Sequence, residues 1–137
     1  VDIGDITSFA GLTGDHYQLH TDAAFMEGNR FSQRIAHGPL TFSLAVGLVG
    51  LSGFYGDAIT ALIEITALKA TQPVFAGDTL YGESEVLEKR ESKSRPTAGL
   101  VTVRTIGKNQ DGKIVCEFER TVLVAKRGHA VEDKMNY

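Results

Sequence analysis

A chain of 137 residues has the length of one domain, and its 42% hydrophobic and 23% charged residues suffice for a packed core and argue against wholesale disorder. A net charge of −3 and a pI of about 5.8 offer no basic face for nucleic acid or an anionic membrane, although a local basic patch could still meet a charged coenzyme. The single cysteine, Cys116, excludes an intramolecular disulfide; it stands in an alternating apolar run and reads as a buried, inert thiol, which fits a reducing cytoplasm.

The first residues, Val1-Asp2-Ile3-Gly4-Asp5, lack the basic-then-apolar order of a signal peptide, and the chain starts with Val, so an upstream piece is expected. Asp5 to Leu12 carries Ile6, Phe9, Ala10 and Leu12 at helical spacing; Asp2 or Asp5 can cap its start and Thr13-Gly14 can end it. Thr21-Asp22 opens a short helix over Ala23 to Glu27, and Asn29 to His37 reads as a polar loop. Gly38 to Gly53 is the longest helix candidate. It is apolar on nearly every face, which predicts burial, and Gly47, Gly50 and Gly53 on one ridge predict something packed very close, such as a curved sheet. The whole apolar stretch from Pro39 to Tyr55 is too short and too interrupted for a membrane span.

Four strands follow, at roughly Ala58 to Lys69, Thr79 to Lys89, Gly99 to Ile106 and Ile114 to Ala125. Cys116 and Phe118 alternate with Glu117 and Glu119, the mark of antiparallel strands with one covered face. Gln110-Asp111-Gly112 signals a hairpin, and Gly128 to Tyr137 reads as a loose polar tail. No repeat or interior linker divides residues 1–137, so they form one domain of α+β class: an antiparallel sheet curled around one helix, with an open edge that invites a second subunit.

Two short segments carry chemistry. Leu12-Thr13-Gly14-Asp15-His16-Tyr17-Gln18-Leu19-His20-Thr21-Asp22 puts acids and imidazoles in a turn between helices. Asp15 and His20, five residues apart, can face one water, the carboxylate polarising it and the imidazole moving a proton. A plainer reading stands beside this one: Asp15 satisfies backbone N–H groups and His20 lies on the surface. Arg34-Ile35-Ala36-His37-Gly38-Pro39-Leu40 sits where the loop enters the long helix. Helix starts leave N–H groups free, Pro39 suits the first turn, and the unshielded Gly38 N–H can serve as an oxyanion donor, or simply begin a helix.

Phe9-Ala10, Leu12-Thr13-Gly14-Asp15, His20, Asp22, Ile35-Ala36-His37-Gly38 and Gln72-Pro73-Val74-Phe75-Ala76-Gly77-Asp78 together resemble the MaoC-like family of (R)-specific enoyl-CoA hydratases, over about residues 3 to 126. The resemblance implies a hotdog fold, a long central helix wrapped by an antiparallel sheet, with a sheet-to-sheet homodimer or a dimer of dimers. The family's first strand would precede Val1. It implies Asp15 and His20 as the catalytic pair and the Gly38 N–H as the oxyanion donor. The implied reaction is hydration of a trans-2-enoyl-CoA to an (R)-3-hydroxyacyl-CoA, or its reversal, with no metal and no cofactor beyond the coenzyme A of the substrate, and with neither nucleic acid nor membrane as partner.

The sequence departs from the family at Tyr17-Gln18, where Asn-Pro is common, and at Val46, where many relatives carry a small polar residue; Ser43 or Thr41 could substitute for the latter. His37, Arg34, Tyr17, Ser43 and Lys69 are assigned to substrate binding, with Arg30 and Lys89 as further candidates for coenzyme A phosphates, against plainer structural or solvated roles. Two rivals remain: a thioesterase on the same fold and a non-catalytic acyl-CoA-binding module. The helix from Gly38 to Gly53 contains no Asp or Glu, which argues against the thioesterase.

Overall fold

The computed structural model describes residues 1–135. In chain order it contains α1 (Ile3–Thr13), α2 (Gln18–Thr21), α3 (Ala23–Glu27), α4 (Gly38–Leu51), β1 (Ile59–Ala70), β2 (Tyr81–Glu91), β3 (Ala98–Lys108), β4 (Ile114–Ala125) and α5 (Val131–Lys134). The four strands form one antiparallel sheet in the order β1-β4-β3-β2.

Local chemistry sets the ends of α1. Asp2 caps it, its side chain accepting from the Ile3 N–H, and Asp5 answers with a bond to the Asp2 N–H, a capping box. Gly14 ends it at φ 79°, a left-handed conformation that glycine adopts without strain, and this turn delivers the chain to Asp15. Asp22 caps α3 by accepting from the Phe25 N–H. α2 is an addition to the sequence reading: a single turn that begins without a side-chain cap.

α4 lies against the inner face of the sheet. Ala45 packs on Cys116 and Phe118, with Phe42 and Val46 beside them, and the Phe42 and Phe118 rings meet edge to face at 4.6 Å. A second cluster joins α1 to the start of α4: Ile6, Ala36, Leu40, Val74 and Val115, with Phe9, Leu44 and Leu80. The long β1–β2 connection contributes Val74 to it, so residues between strands help carry the core.

The expected glycine contact is not where the ridge on the helix put it. A Cβ added at Gly47 or Gly50 meets nothing within 4 Å, and Gly53 is a turn residue at φ 72°. The close approach is on the sheet, where a Cβ at Gly107 would lie 2.7 Å from Cys116 Sγ and 3.8 Å from the Ala45 side chain. Nor is α4 buried all round: Leu51 is 87% exposed, and Leu44 and Leu48 are half-buried along a groove shared with Leu80. Only part of the apolar surface of this helix meets the sheet of this chain.

β1 is an edge strand with Leu62, Ile63, Ile65 and Leu68 exposed and three breaks in its register with β4. Ala67, at φ 52°, sits in the last of these, between Thr66 and Lys69. The tail is less loose than its composition predicts: Asp133 accepts from the Gly128 and Ala130 N–H groups, and Asp57 accepts from the Glu132 N–H. Residues 136 and 137 of the expected tail lie outside the described residues.

Candidate functional site

The turn after α1 and the loop before α4 are laced together by a main-chain bond and by the Arg34 side chain. The Ile35 N–H donates to the Leu19 carbonyl at 3.0 Å, and Arg34 Nε donates to the His20 carbonyl at 2.5 Å. The Arg34 guanidinium also reaches Thr7 Oγ1 on α1 at 3.1 Å. The loop is then tied to the β1–β2 connection by Ala36 N–H to the Val74 carbonyl at 2.8 Å and by an antiparallel bridge between Ile35 and Phe75.

This lacing fixes His20. Its Nδ1 lies 2.8 Å from the Ile35 carbonyl. A carbonyl only accepts, so Nδ1 carries the hydrogen and the Nε2 of the neutral ring keeps its lone pair free to accept. The ring is half-buried and borders a cleft of about 480 Å³, together with Gly38, Thr41, Phe31 and Val115. The cleft passes over the first turn of α4, and no protein group accepts from the Gly38 N–H among the described residues. Gly38 therefore presents a free donor at the positive end of a 14-residue helix. A Cβ there would meet only the Ala70 side chain at 3.5 Å, so glycine keeps this approach open rather than relieving a clash.

Asp15 is exposed and does not itself line the cleft; it stands next to His20, which does. One carboxylate oxygen accepts weakly from the Tyr17 N–H at 3.3 Å, which leaves most of its capacity for another donor. Ligand-type atoms of Asp15, His20 and His37 all lie within 4.8 Å of one another. The His20 and His37 rings stack, with centroids 3.8 Å apart and planes 24° from parallel. Each ring spends one nitrogen on a backbone carbonyl, His20 on that of Ile35 and His37 on that of Asp15. An acid and an imidazole this close can both contact one small molecule, and the free Gly38 N–H on the same cleft can stabilise negative charge that develops beside them.

The other residues singled out from the sequence fall elsewhere. His37 is 1% exposed and does not border the cleft; its Nε2 donates to the Asp15 carbonyl at 2.9 Å. Arg34 is spent on the His20 carbonyl and Thr7. Tyr17 is 61% exposed, outside the cleft. Ser43 bonds to the Pro39 carbonyl and faces the outer groove along α4, whereas Thr41 faces the cleft. Lys69 pairs loosely with Glu117 at 3.7 Å on the sheet, Lys89 lies near the β2–β3 turn, and Val46 packs in the helix–sheet core. Tyr55 sits in the turn after α4, away from the cleft; burial pushes its phenol pKa up, and the Arg120 guanidinium offsets part of that. Arg30 is the one basic side chain other than histidine on the cleft among the described residues, with its guanidinium over the Phe31 ring at 4.6 Å and no acidic partner. The sequence held no signal for the Ile35 carbonyl, because a backbone acceptor is present at every residue.

Residues 1–109 match the MaoC like domain family. The (R)-specific enoyl-CoA hydratase of Rhodospirillum rubrum is 33% identical over 124 residues, covering 90% of this chain and 80% of the hydratase. The beta-methylmalyl-CoA dehydratase of Chloroflexus aurantiacus is 34% identical over 82% of this chain, which spans only 34% of that longer protein. Among solved structures, a protein described as a monoamine oxidase regulatory protein from Archaeoglobus superimposes with a TM-score of 0.85 at 34% identity, covering 92% of this chain and 83% of the other. The helix-on-sheet architecture is the hotdog fold of these neighbours. The chain belongs to the MaoC-like dehydratase family, whose members include hydratases and dehydratases.

Proposed function

We propose that this protein adds water to trans-2-enoyl-CoA thioesters, giving (R)-3-hydroxyacyl-CoA, or removes it in the reverse direction. The observation that carries this reading is the convergence of Asp15 and His20 within 4.8 Å, beside a cleft that also holds the unpaired Gly38 N–H. The relatives named as an (R)-specific enoyl-CoA hydratase and a beta-methylmalyl-CoA dehydratase support the same chemistry.

In this mechanism the thioester carbonyl accepts from Gly38 N–H. Asp15 and the free Nε2 of His20 hold one water over carbon 3. The water oxygen bonds to carbon 3, the alkene electrons move toward the thioester oxygen, and one water proton passes through the dyad to carbon 2. The Gly38 bond strengthens as enolate charge develops, so it lowers the barrier rather than merely tightening binding. Ile35, Ala36, Val74 and Val115 give the acyl chain an apolar wall, and Arg30 is placed to meet a phosphate of coenzyme A.

The absence of any carboxylate from α4 favours hydration over thioester hydrolysis. The exposed apolar side chains of β1 and the open flank of α4 fit a second copy of the chain, and we assign the active form as at least a dimer. Among the described residues no helix is long and apolar enough to cross a membrane. An unpaired buried Cys116 suits the cytoplasm, where we place the reaction. The test is a spectrophotometric scan of short, medium and branched enoyl-CoAs, following loss of the conjugated thioester absorbance. Release of free thiol would indicate a thioesterase, and tight binding without turnover would indicate a binding module.

A further inference from the structure

His37 touches both members of the proposed dyad, yet it has no access to the cleft. It is 1% exposed. Its Nε2–H donates to the Asp15 carbonyl at 2.9 Å, and its ring stacks on His20 at 3.8 Å. Phe9 of α1 closes the other side of the ring, edge to face at 4.9 Å. Its backbone begins α4, its carbonyl accepting from the Thr41 N–H at 3.1 Å. One residue therefore links the Asp15 backbone, the His20 ring and the helix start that presents Gly38.

The same ring carries a defect. With its hydrogen on Nε2, Nδ1 is an acceptor, and it is buried without a protein partner among the described residues. Burying an unpaired acceptor opposes folding. A phenylalanine would keep the aromatic stack and much of the volume and remove that defect. Packing alone therefore does not call for histidine here; the Nε2–H bond to Asp15 does.

We infer that His37 is a positioning residue, holding the Asp15 carboxylate and the His20 ring in register with the Gly38 N–H, and that this role comes at a cost in stability. The inference rests on the hydratase reading for its kinetic test, and a second measurement decides it without turnover. The variants are His37→Phe, which keeps the ring and loses the donor, and His37→Gln, which restores an N–H donor near the Nε2 position. For His37→Phe we expect a thermal midpoint equal to or above that of the parent, kcat lower by about ten- to a hundredfold, and KM within about twofold. For His37→Gln we expect kcat between the two.

Independently, amide relaxation by NMR should show greater motion at Asp15 and His16 in His37→Phe than in the parent. A His37→Phe variant with parental kcat and an unchanged turn overturns the inference. So does a loss of activity that only follows a loss of folded protein, or a rise in KM at constant kcat, which would mean substrate contact. If the parent hydrates no enoyl-CoA, the functional reading falls, while the relaxation at Asp15 still decides whether His37 holds the turn.

Discussion

Replacing His20 in two ways separates its chemical role from its structural one. The ring uses Nδ1 to bond the Ile35 carbonyl at 2.8 Å and leaves Nε2 free at the cleft. Asparagine places an amide donor near the Nδ1 position and nothing near Nε2; alanine removes both. A positioned acid–base group contributes on the order of 10²–10⁴ in rate, so both variants should be at least about a hundredfold slower. Only alanine leaves the half-buried carbonyl without its donor, and the net worth of such a bond, about 0.5–1.5 kcal/mol, should separate their stabilities.

Asp15→Asn should match them in rate. Asp15 and His20 lie within 4.8 Å and are assigned one shared water, so losing either loses that water. The Asp15→Asn, His20→Asn pair should then be no more than about tenfold slower than the slower single variant, far from the product of the two effects. Initial rates on an enoyl-CoA and thermal unfolding supply both readouts. Near-parental turnover by His20→Asn, or a double variant that multiplies the single losses, would refute the shared-water arrangement.

Three further expectations follow from other parts of the molecule. Gly107→Ala puts a methyl 2.7 Å from Cys116 Sγ and should cost about 1–3 kcal/mol by urea denaturation, with much of it recovered by adding Cys116→Ala. Arg30→Ala should raise KM for an enoyl-CoA about tenfold with little change in kcat, and should leave KM for the matching pantetheine thioester, which lacks the nucleotide phosphates, unchanged; equal effects on both would remove Arg30 from phosphate binding. Burial pushes the Cys116 thiol above its ordinary 9.0, only partly countered by a backbone bond from Gly107. The unfolded chain therefore loses this proton first, so this residue's contribution to stability is intact below pH 9.0 and is lost as the pH rises through the folded-state value; a Cys116→Ala variant should show a shallower decline in that range.

Periodicity and caps made most of the elements legible before any coordinates. β4 runs from Ile114 to Ala125 as its alternation predicts, and α3 from Ala23 to Glu27 as its Thr21-Asp22 start predicts. The single turn of α2 left no mark, because four residues are too few for a period and Tyr17 offers no side-chain cap. The glycine ridge on α4 misled for a physical reason. Glycine spacing shows where a close approach is permitted, not where a neighbour exists, and the neighbour lies at Gly107 on the sheet. Asp15, His20 and Gly38 could be nominated as candidates from residue type and spacing, beside plainer structural readings, and the family resemblance assigned their roles. What His37 and Arg34 do could not, since each acts on a backbone carbonyl chosen by the fold: His37 on that of Asp15, and Arg34 on that of His20.

The positions of Asp15 and His20 depend on residues far along the chain, and the path can be followed bond by bond. The Asp78 carboxylate accepts from the Phe75 N–H at 2.9 Å and from Gln110 Nε2 at 2.9 Å, which locks the turn that Gly77 makes at φ 95°. That turn holds Val74 and Phe75 against the loop before α4, through the Ala36 N–H bond and the Ile35–Phe75 bridge. Ile35 in turn offers the carbonyl that orients His20, and two residues on His37 grips Asp15. The motif from Gln72 to Asp78 therefore belongs to the machinery of the site, although only Gln72, Pro73 and Val74 of it border the cleft. A tight turn beside the sheet is rigid, and main-chain bonds carry that rigidity to two loops that have little regular structure of their own. The exposed Asp15 and the half-buried His20 are thereby held near each other, although Asp15 has little packing of its own.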